Sequence, residues 1–117
     1  MTATTEINVA RLVDFGEFTL RLPQRILLRG SDEVRIGSRA LEILVSLLDS
    51  PGETVPKTVL IARTWPNLVV EEGALRVHIA NVRKTLGDSQ SRHRYIENVA
   101  GQGYRFVTPV RVRRLTR

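Results

Sequence analysis

The sequence predicts an α+β fold: an N-terminal antiparallel sheet of three to four strands, three helices, and a closing β-hairpin. Three observations carry it. From Arg11 to Ile36 apolar residues recur at a spacing of two between turn residues. From Ser38 the spacing becomes that of a helix, most clearly over Glu72–Leu86. The run RYIENVAGQGYRFV, residues 94–107, then sets a Gly-x-Gly turn between two strand-like segments.

Taken in order, residues 1–10 are small and polar and are expected to be a disordered start. Val13 and Phe15, then Phe18, Leu20 and Leu22, then Ile26 and Leu28, then Val34 and Ile36 mark the strands of a meander. Gly16, Pro23-Gln24 and Gly30–Asp32 mark its turns. Ala40, Leu41, Leu44, Leu47 and Leu48 form one helical face, which Ile43 and Val45 widen, so the first helix is expected to be largely buried. Ser50-Pro51-Gly52 ends it, because proline cannot continue a helix and glycine accepts the left-handed cap. Thr54–Val55 suits a short strand. Pro56 suits the start of a second helix from Lys57 to about Trp65, which Pro66 stops.

In the third helix Leu75, Ile79, Val82 and Leu86 are spaced four, three and four, which makes one buried stripe. Gly73, Val77, Ala80, Asn81 and Lys84 lie opposite, flanked by Arg76 and Arg83. Glu71 and Glu72 at the N-terminus, and Arg83 and Lys84 near the C-terminus, both favour the helix dipole, and Gly87 suits the C-cap. Tyr95–Val99 and Tyr104–Val107 are the hairpin strands. The boundaries expected are 1–10 for the disordered start, 11–108 for the domain, and 109–117 for a basic tail or the start of a linker.

Composition narrows the function. A chain of 117 residues suits one domain. The net charge of +6 lies wholly in residues 71–117, with ten Lys/Arg against four Asp/Glu; residues 1–70 hold eight of each. A basic helix followed by a basic hairpin suits a polyanion. With no cysteine there is no disulfide and no Cys-based metal site or nucleophile. The apolar stretches fall far short of the ~20 residues that span a bilayer, and the N-terminus lacks the regions of a secretory signal, so a cytoplasmic address is expected. A membrane-surface helix would show bulky apolar residues opposite its cations, whereas this one has a core-like apolar face. The histidines, His78 and His93, belong to no HExxH or triad pattern, and no P-loop or GxSxG occurs. No enzyme, catalytic residue, metal site, cofactor or small-molecule ligand is expected.

The second and third helices, joined by a short loop, have the layout of a helix-turn-helix. On the exposed face Gly73, Val77 and Ala80 are small or slim, so the helix can approach a groove floor closely. Val77 and Ala80 can meet a thymine methyl, Asn81 can pair with adenine N6 and N7, and Arg76 with guanine O6 and N7. Arg83 and Lys84, toward the flank and C-terminal end, suit phosphates, as do Arg94 before the hairpin and Arg105 within it. The bland alternative is a solvated charged face.

Several stretches, taken together and in order, carry a resemblance: LVSLLDSPGETV, LIARTWP, VVEEGALRVHIANVRKTLG, and RYIENVAGQGYRF with its G-x-G-Y-R-F ending. Residues 36–107 resemble the winged-helix effector domain of the OmpR/PhoB family of bacterial transcription regulators. The resemblance implies a winged helix-turn-helix with its recognition helix in the major groove of double-stranded DNA and its hairpin wing on the adjacent minor groove or backbone. By position it implies base readers at Gly73, Ala74, Val77 and Asn81, phosphate contacts at Trp65, His78 and Arg83, and wing contacts at Asn98, Ala100 and Gln102. It also implies that the loop Pro66, Asn67, Leu68, Val69 and Val70 can touch RNA polymerase, and that tandem copies pair on DNA.

The chain departs from that family at Gly73, Ala74 and Ala80, where Arg or Thr is common, at Ala100, where a wing Arg often stands, and at Pro56, which replaces a capping Ser or Thr. Base readout should therefore be sparser and the recognised sequence different. Trp65 has a second reading as a packing residue and His78 as an ordinary surface residue; Tyr104 and Phe106 are expected in the hairpin core. Because the first strand begins within about ten residues of Met1, a preceding receiver domain has no room, and an N-terminal place in a one-component regulator is expected; a self-contained regulator and an excised C-terminal domain are the alternatives. The rival functions are a winged helix used mainly for protein–protein contact, which the poor arginine content of the reading face favours, and RNA binding, which needs exposed aromatics for stacking.

Overall fold

A computed structural model describes residues 10–88 and 95–115 of the chain. The elements, in order, are β1 (Arg11–Phe15), β2 (Phe18–Leu22), β3 (Ile26–Arg29), β4 (Asp32–Glu33), α1 (Ser38–Leu48), β5 (Thr54–Pro56), α2 (Lys57–Thr64), α3 (Glu72–Leu86), β6 (Ile96–Val99), β7 (Gly103–Phe106) and β8 (Val110–Arg114). They form two compact units. One holds the residues up to Arg35 together with those from Pro109; the other is Ile36–Thr108. The expected disordered start, apart from Ala10, lies outside the described residues, as do His93 and Arg94.

The first unit is a five-stranded antiparallel sheet of order β4-β3-β2-β1-β8. Gly16 (φ +57°) and Gly30 (φ +62°) each stand first in a two-residue loop, where a type II′ hairpin turn needs a positive φ. Val13, Phe15, Phe18, Leu20, Leu22 and Leu27 share one face and are buried. Two expectations are corrected here. The meander's third strand buries Leu27, paired with Leu20, and leaves Ile26 and Leu28 half-buried, because the loop through Arg25 (φ +64°) sets the register. Residue pairing ends at Glu33, with Val34 N still donating to the Leu27 carbonyl on β3 at 2.8 Å, while Ile36 belongs to no strand.

The larger correction concerns the end of the chain. Val110–Arg114 was expected as a tail or linker; it is the edge strand β8, paired along the whole of β1. Its arginines hid this, since four cations in seven residues read as solvated chain. Asp14 on β1 explains one of them: it accepts from Arg113 Nη2 at 2.9 Å and from Thr19 Oγ1 on β2 at 2.7 Å, so three strands meet at one carboxylate. The Arg113 hydrogen bonds, with Thr19 and the nearby positive charge, outweigh burial and hold the Asp14 carboxyl below its usual value. A folded value below the unfolded one stabilises the pairing fully above the unfolded carboxylate value, near ~3.9, and the gain fades as pH falls through the folded one. The protection of the β8 amides, taken relative to their intrinsic exchange at each pH, is therefore expected to fall on acidification below about pH 4 in the native chain, with Asp14→Asn already less protected at neutral pH and unchanged through that window. Matching profiles in the two proteins would rule the ion pair out as the hold on β8.

The second unit is a three-helix core with the sheet β5-β7-β6, in which β7 is central. Helix α1 packs on α2, α3 and β7 and buries Ala40, Ile43, Leu44, Leu47 and Leu48, most of the face that its spacing marks out, but Leu41 and Val45 are half-buried and Ser46 is buried in their place. Helix α3 buries Leu75, Ile79, Val82 and Leu86 at 2% exposure or less, the whole predicted stripe and nothing else. Tyr104 and Phe106 are buried as expected. With β6 and β7 as the wing, the unit is a winged helix-turn-helix. Pro56 both ends β5 and stands at the N-cap of α2, where it offers no side-chain cap; the backbone carbonyl of Gln102 at the wing tip instead accepts from Lys57 N at 3.3 Å.

Candidate nucleic-acid interface

The reading face follows from the helical period. With Leu75, Ile79, Val82 and Leu86 inside, the 3.6-residue repeat turns Arg76, Val77, Ala80, Asn81 and Lys84 outward, and all five are exposed. Val77 is 59% exposed, a β-branched side chain held largely out to solvent. Gly73 and Ala74 are half-buried at the first turn. A Cβ at Gly73 would meet nothing closer than Arg76 Nη2, at 3.9 Å, so the Arg76 side chain lies back along the helix over Gly73. Glu72 draws it there: Arg76 Nη1 lies 3.4 Å from Glu72 Oε2, one turn away. The same oxygen accepts from Lys57 Nζ at 2.7 Å, tying the start of α2 to the start of α3. That hydrogen bond, then the Lys57 and Arg76 charges, hold the Glu72 carboxyl below its usual value. The Arg76 contact is long and exposed, so it yields easily to a base edge.

The expected phosphate contacts separate into groups. Lys84 is exposed on the last turn of α3. Trp65 is 8% exposed, its ring 5.5 Å from the His78 ring and 6.0 Å from the Arg39 guanidinium, so it is a packing residue that braces His78. Arg39, on the first turn of α1, also donates to the Thr64 carbonyl at 2.5 Å and so holds the end of α2. Arg105 is committed to Glu97 across the wing strands, Nε at 3.1 Å and Nη2 closer still. Arg83 is half-buried and points into the wing, donating to the Ile96 carbonyl at 3.0 Å and to Asn98 Oδ1 at 2.9 Å. Arg94 lies outside the described residues.

At the wing tip Ala100, Gly101 and Gln102 are exposed. Gln102 N donates to the Val99 carbonyl at 2.9 Å with Gly101 at φ +73°, the third position of a type II turn, which favours glycine. The loop Pro66–Val70 presents Val69 wholly to solvent and leaves Leu68 59% exposed. Sequence reasoning missed Lys57, Arg39, Asp88 and Glu97. Glu72–Arg76 was readable as an i,i+4 pair. The others pair across 8 to 25 residues, where no local pattern exists. All six Phe, Tyr and Trp side chains are buried. No described helix is long and apolar enough to cross a membrane.

Comparison with known proteins agrees with this geometry. The family model described as "Transcriptional regulatory protein, C terminal" matches residues 31–106. Among curated proteins, the transcriptional regulator HilA of Salmonella typhimurium is 39% identical over 96 residues, 82% of this chain and 17% of HilA. The KDP operon transcriptional regulatory protein KdpE of Escherichia coli is 31% identical over 97 residues, 82% of this chain and 43% of KdpE. The chain thus spans less than half the length of either relative. Among solved structures, the OmpR/PhoB homologue DrrB of Thermotoga maritima superposes with a TM-score of 0.74 at 26% identity, over 82% of this chain and 44% of DrrB. The DNA-binding domain of Escherichia coli CadC superposes with a TM-score of 0.75 at 23% identity, over 88% of this chain and 97% of that domain, which shows the shared fold.

Proposed function

The chain belongs to the family of transcriptional regulatory protein C-terminal domains, the OmpR/PhoB-type winged-helix effectors, and we propose that it binds double-stranded DNA sequence-specifically to regulate transcription. The observation that carries this reading is the outward face of α3: slim at Gly73, Val77 and Ala80, polar at Asn81 and Arg76, and rigidly backed by a four-residue buried stripe. Such a face fits a major groove of about 12 Å, and its polar pair matches adenine and guanine edges. The wing tip at Asn98, Ala100 and Gln102 reaches the neighbouring minor groove or backbone. Exposed Lys84 and half-buried His78, held against Trp65, are the phosphate contacts that this reading keeps, with Arg94, which precedes the wing in the sequence, as a third. The DNA-binding unit is Ile36–Thr108, and copies bind side by side on repeated half-sites.

The exposed Leu68–Val69 pair supports a protein contact beside the DNA, which we assign to RNA polymerase. HilA and KdpE, both named as transcriptional regulators, support the biological role. The test is fluorescence anisotropy on duplexes recovered from a random library, repeated across salt concentrations. Neutralising about four to six phosphates predicts a slope of log affinity against log salt of roughly −4 to −5. A flat salt dependence, or failure to enrich any sequence, overturns the reading in favour of a winged helix used for protein contact alone.

A further inference from the structure

We propose that Arg83 and Asp88 form a clamp that fixes the wing to the end of the recognition helix, so that DNA meets both as one reading unit. The proposal rests on the DNA-binding reading for its function, and on the following geometry for its existence.

Strand β6 is an edge strand, with β7 on one side only. The Tyr95 carbonyl faces β7, where it accepts from Val107 N at 2.8 Å. In an antiparallel ladder the next residue points its N–H and C=O the other way, so those of Ile96 face outward with no strand to meet. Both are taken by α3 and its cap. Ile96 N donates to Asp88 Oδ2 at 2.9 Å, and Tyr95 N reaches the same oxygen at 3.2 Å. The Ile96 carbonyl accepts from Arg83 Nη2 at 3.0 Å. The same nitrogen continues to Asn98 Oδ1 at 2.9 Å, which orients the side chain expected to serve the wing.

The helix's own stop signal brings the two clamp residues together. Gly87 is left-handed (φ +78°), Asp88 N donates to the Arg83 carbonyl at 2.8 Å, and Gly87 N donates to that of Lys84 at 3.2 Å. This is the Schellman pattern, which sets the residues here numbered 83 and 88 side by side, usually as an apolar contact. Here they are a cation and an anion, and each satisfies one outward group of Ile96. Arg83 Nε is buried without a partner, so the guanidinium is drawn into the fold rather than held out to solvent as Lys84 is. Arg83 is therefore a positioning residue, not the phosphate contact that its place in the sequence suggests.

The experiment uses the full chain and a selected duplex. Arg83→Gln is expected to weaken binding at least tenfold, with the salt slope unchanged and the hydroxyl-radical protection opposite the wing lost. Arg83→Lys keeps the charge but not the fork, and is expected to behave like Arg83→Gln. Asp88→Asn, at a carboxylate that no phosphate would approach, is expected to lose the same wing protection. Adding Gln102→Ala to Arg83→Gln should cost nothing further. The clamp is overturned if Arg83→Lys binds as the native chain does while Arg83→Gln lowers the slope by about 0.9, the signature of one phosphate contact. It is equally overturned if Asp88→Asn leaves the wing protected. Should the native chain bind no duplex, the DNA reading fails by itself. Amide protection of residues 95–99 in the free proteins, read against an intact α3, then still decides whether the clamp exists: protection unchanged in Arg83→Gln and Asp88→Asn overturns it.

Discussion

Gly103→Ala is expected to destabilise the domain by about 3 kcal/mol or more, the upper end of what overpacking costs. A Cβ at Gly103 would stand 2.0 Å from the Val55 carbonyl oxygen, 2.9 Å from its carbon and 3.0 Å from Pro56 Cα. All three are backbone atoms of β5, the strand that pairs with β7 at this register. No rotamer change can relieve the clash, so β5 must part from β7. Pro56 and the Gln102–Lys57 hydrogen bond would move with it, and with them the start of α2. For a domain of this size the loss corresponds to a fall in Tm of roughly 10–20 °C. Gly101→Ala is the control. It has open space around its Cβ and a positive φ, so only backbone strain of about 1 kcal/mol is expected. A Gly103→Ala protein melting within a few degrees of the native chain would show that β5 and β7 are not locked as described.

Asn81→Ala is expected to weaken binding to the selected duplex by about 5- to 100-fold, or roughly 1–3 kcal/mol, while leaving random duplex almost untouched. Asn81 is exposed and uncharged, and it lies at the centre of the outward face between Val77 and Lys84. It carries no counterion term, so the salt slope should not change. Arg76→Ala is expected to relax discrimination by a similar factor at a different base pair and also to reduce the slope slightly. The two effects should be close to additive if each residue reads its own base. Anisotropy titrations on the selected duplex and on single-base variants would measure this. Equal losses on selected and random duplexes would move Asn81 from the reading face to the framework.

Asn81 and Gly103 differ in what encodes their roles. Asn81 was legible from a chain of letters. Gly103 was not: a glycine in G-x-G-Y-R-F reads as half of a turn, and the structure places the turn's positive φ at Gly101 instead. What Gly103 supplies is a close approach to a strand nearly fifty residues earlier. Arg83 shows the same limit from the other side. On a helical wheel it flanks a basic face and suggests a phosphate, but its partners lie 13 and 15 residues away on an edge strand. Trp65 carries two sequence readings, a phosphate contact implied by the resemblance and a packing residue, and Arg105 suits a phosphate. In the fold they brace His78 and pair with Glu97.

By itself the sequence determined the order and type of nearly every element, the inside and outside of α3 and most of α1, the stop at Gly87, and the residues that α3 turns outward. These are local properties. A helix repeats every 3.6 residues, so the spacing of Leu75, Ile79, Val82 and Leu86 settles where Asn81 points before any tertiary contact forms. Only the tertiary structure decided the partner of β8, the burial of Leu27 in place of its neighbours, the need for Gly103, and the use of Arg83. Arg113 and Asp14 meet across 99 residues of chain. Such a pairing leaves no period in the sequence, because it is selected by the unpaired edge of a strand and the one carboxylate beside it rather than by the residues adjoining the arginine.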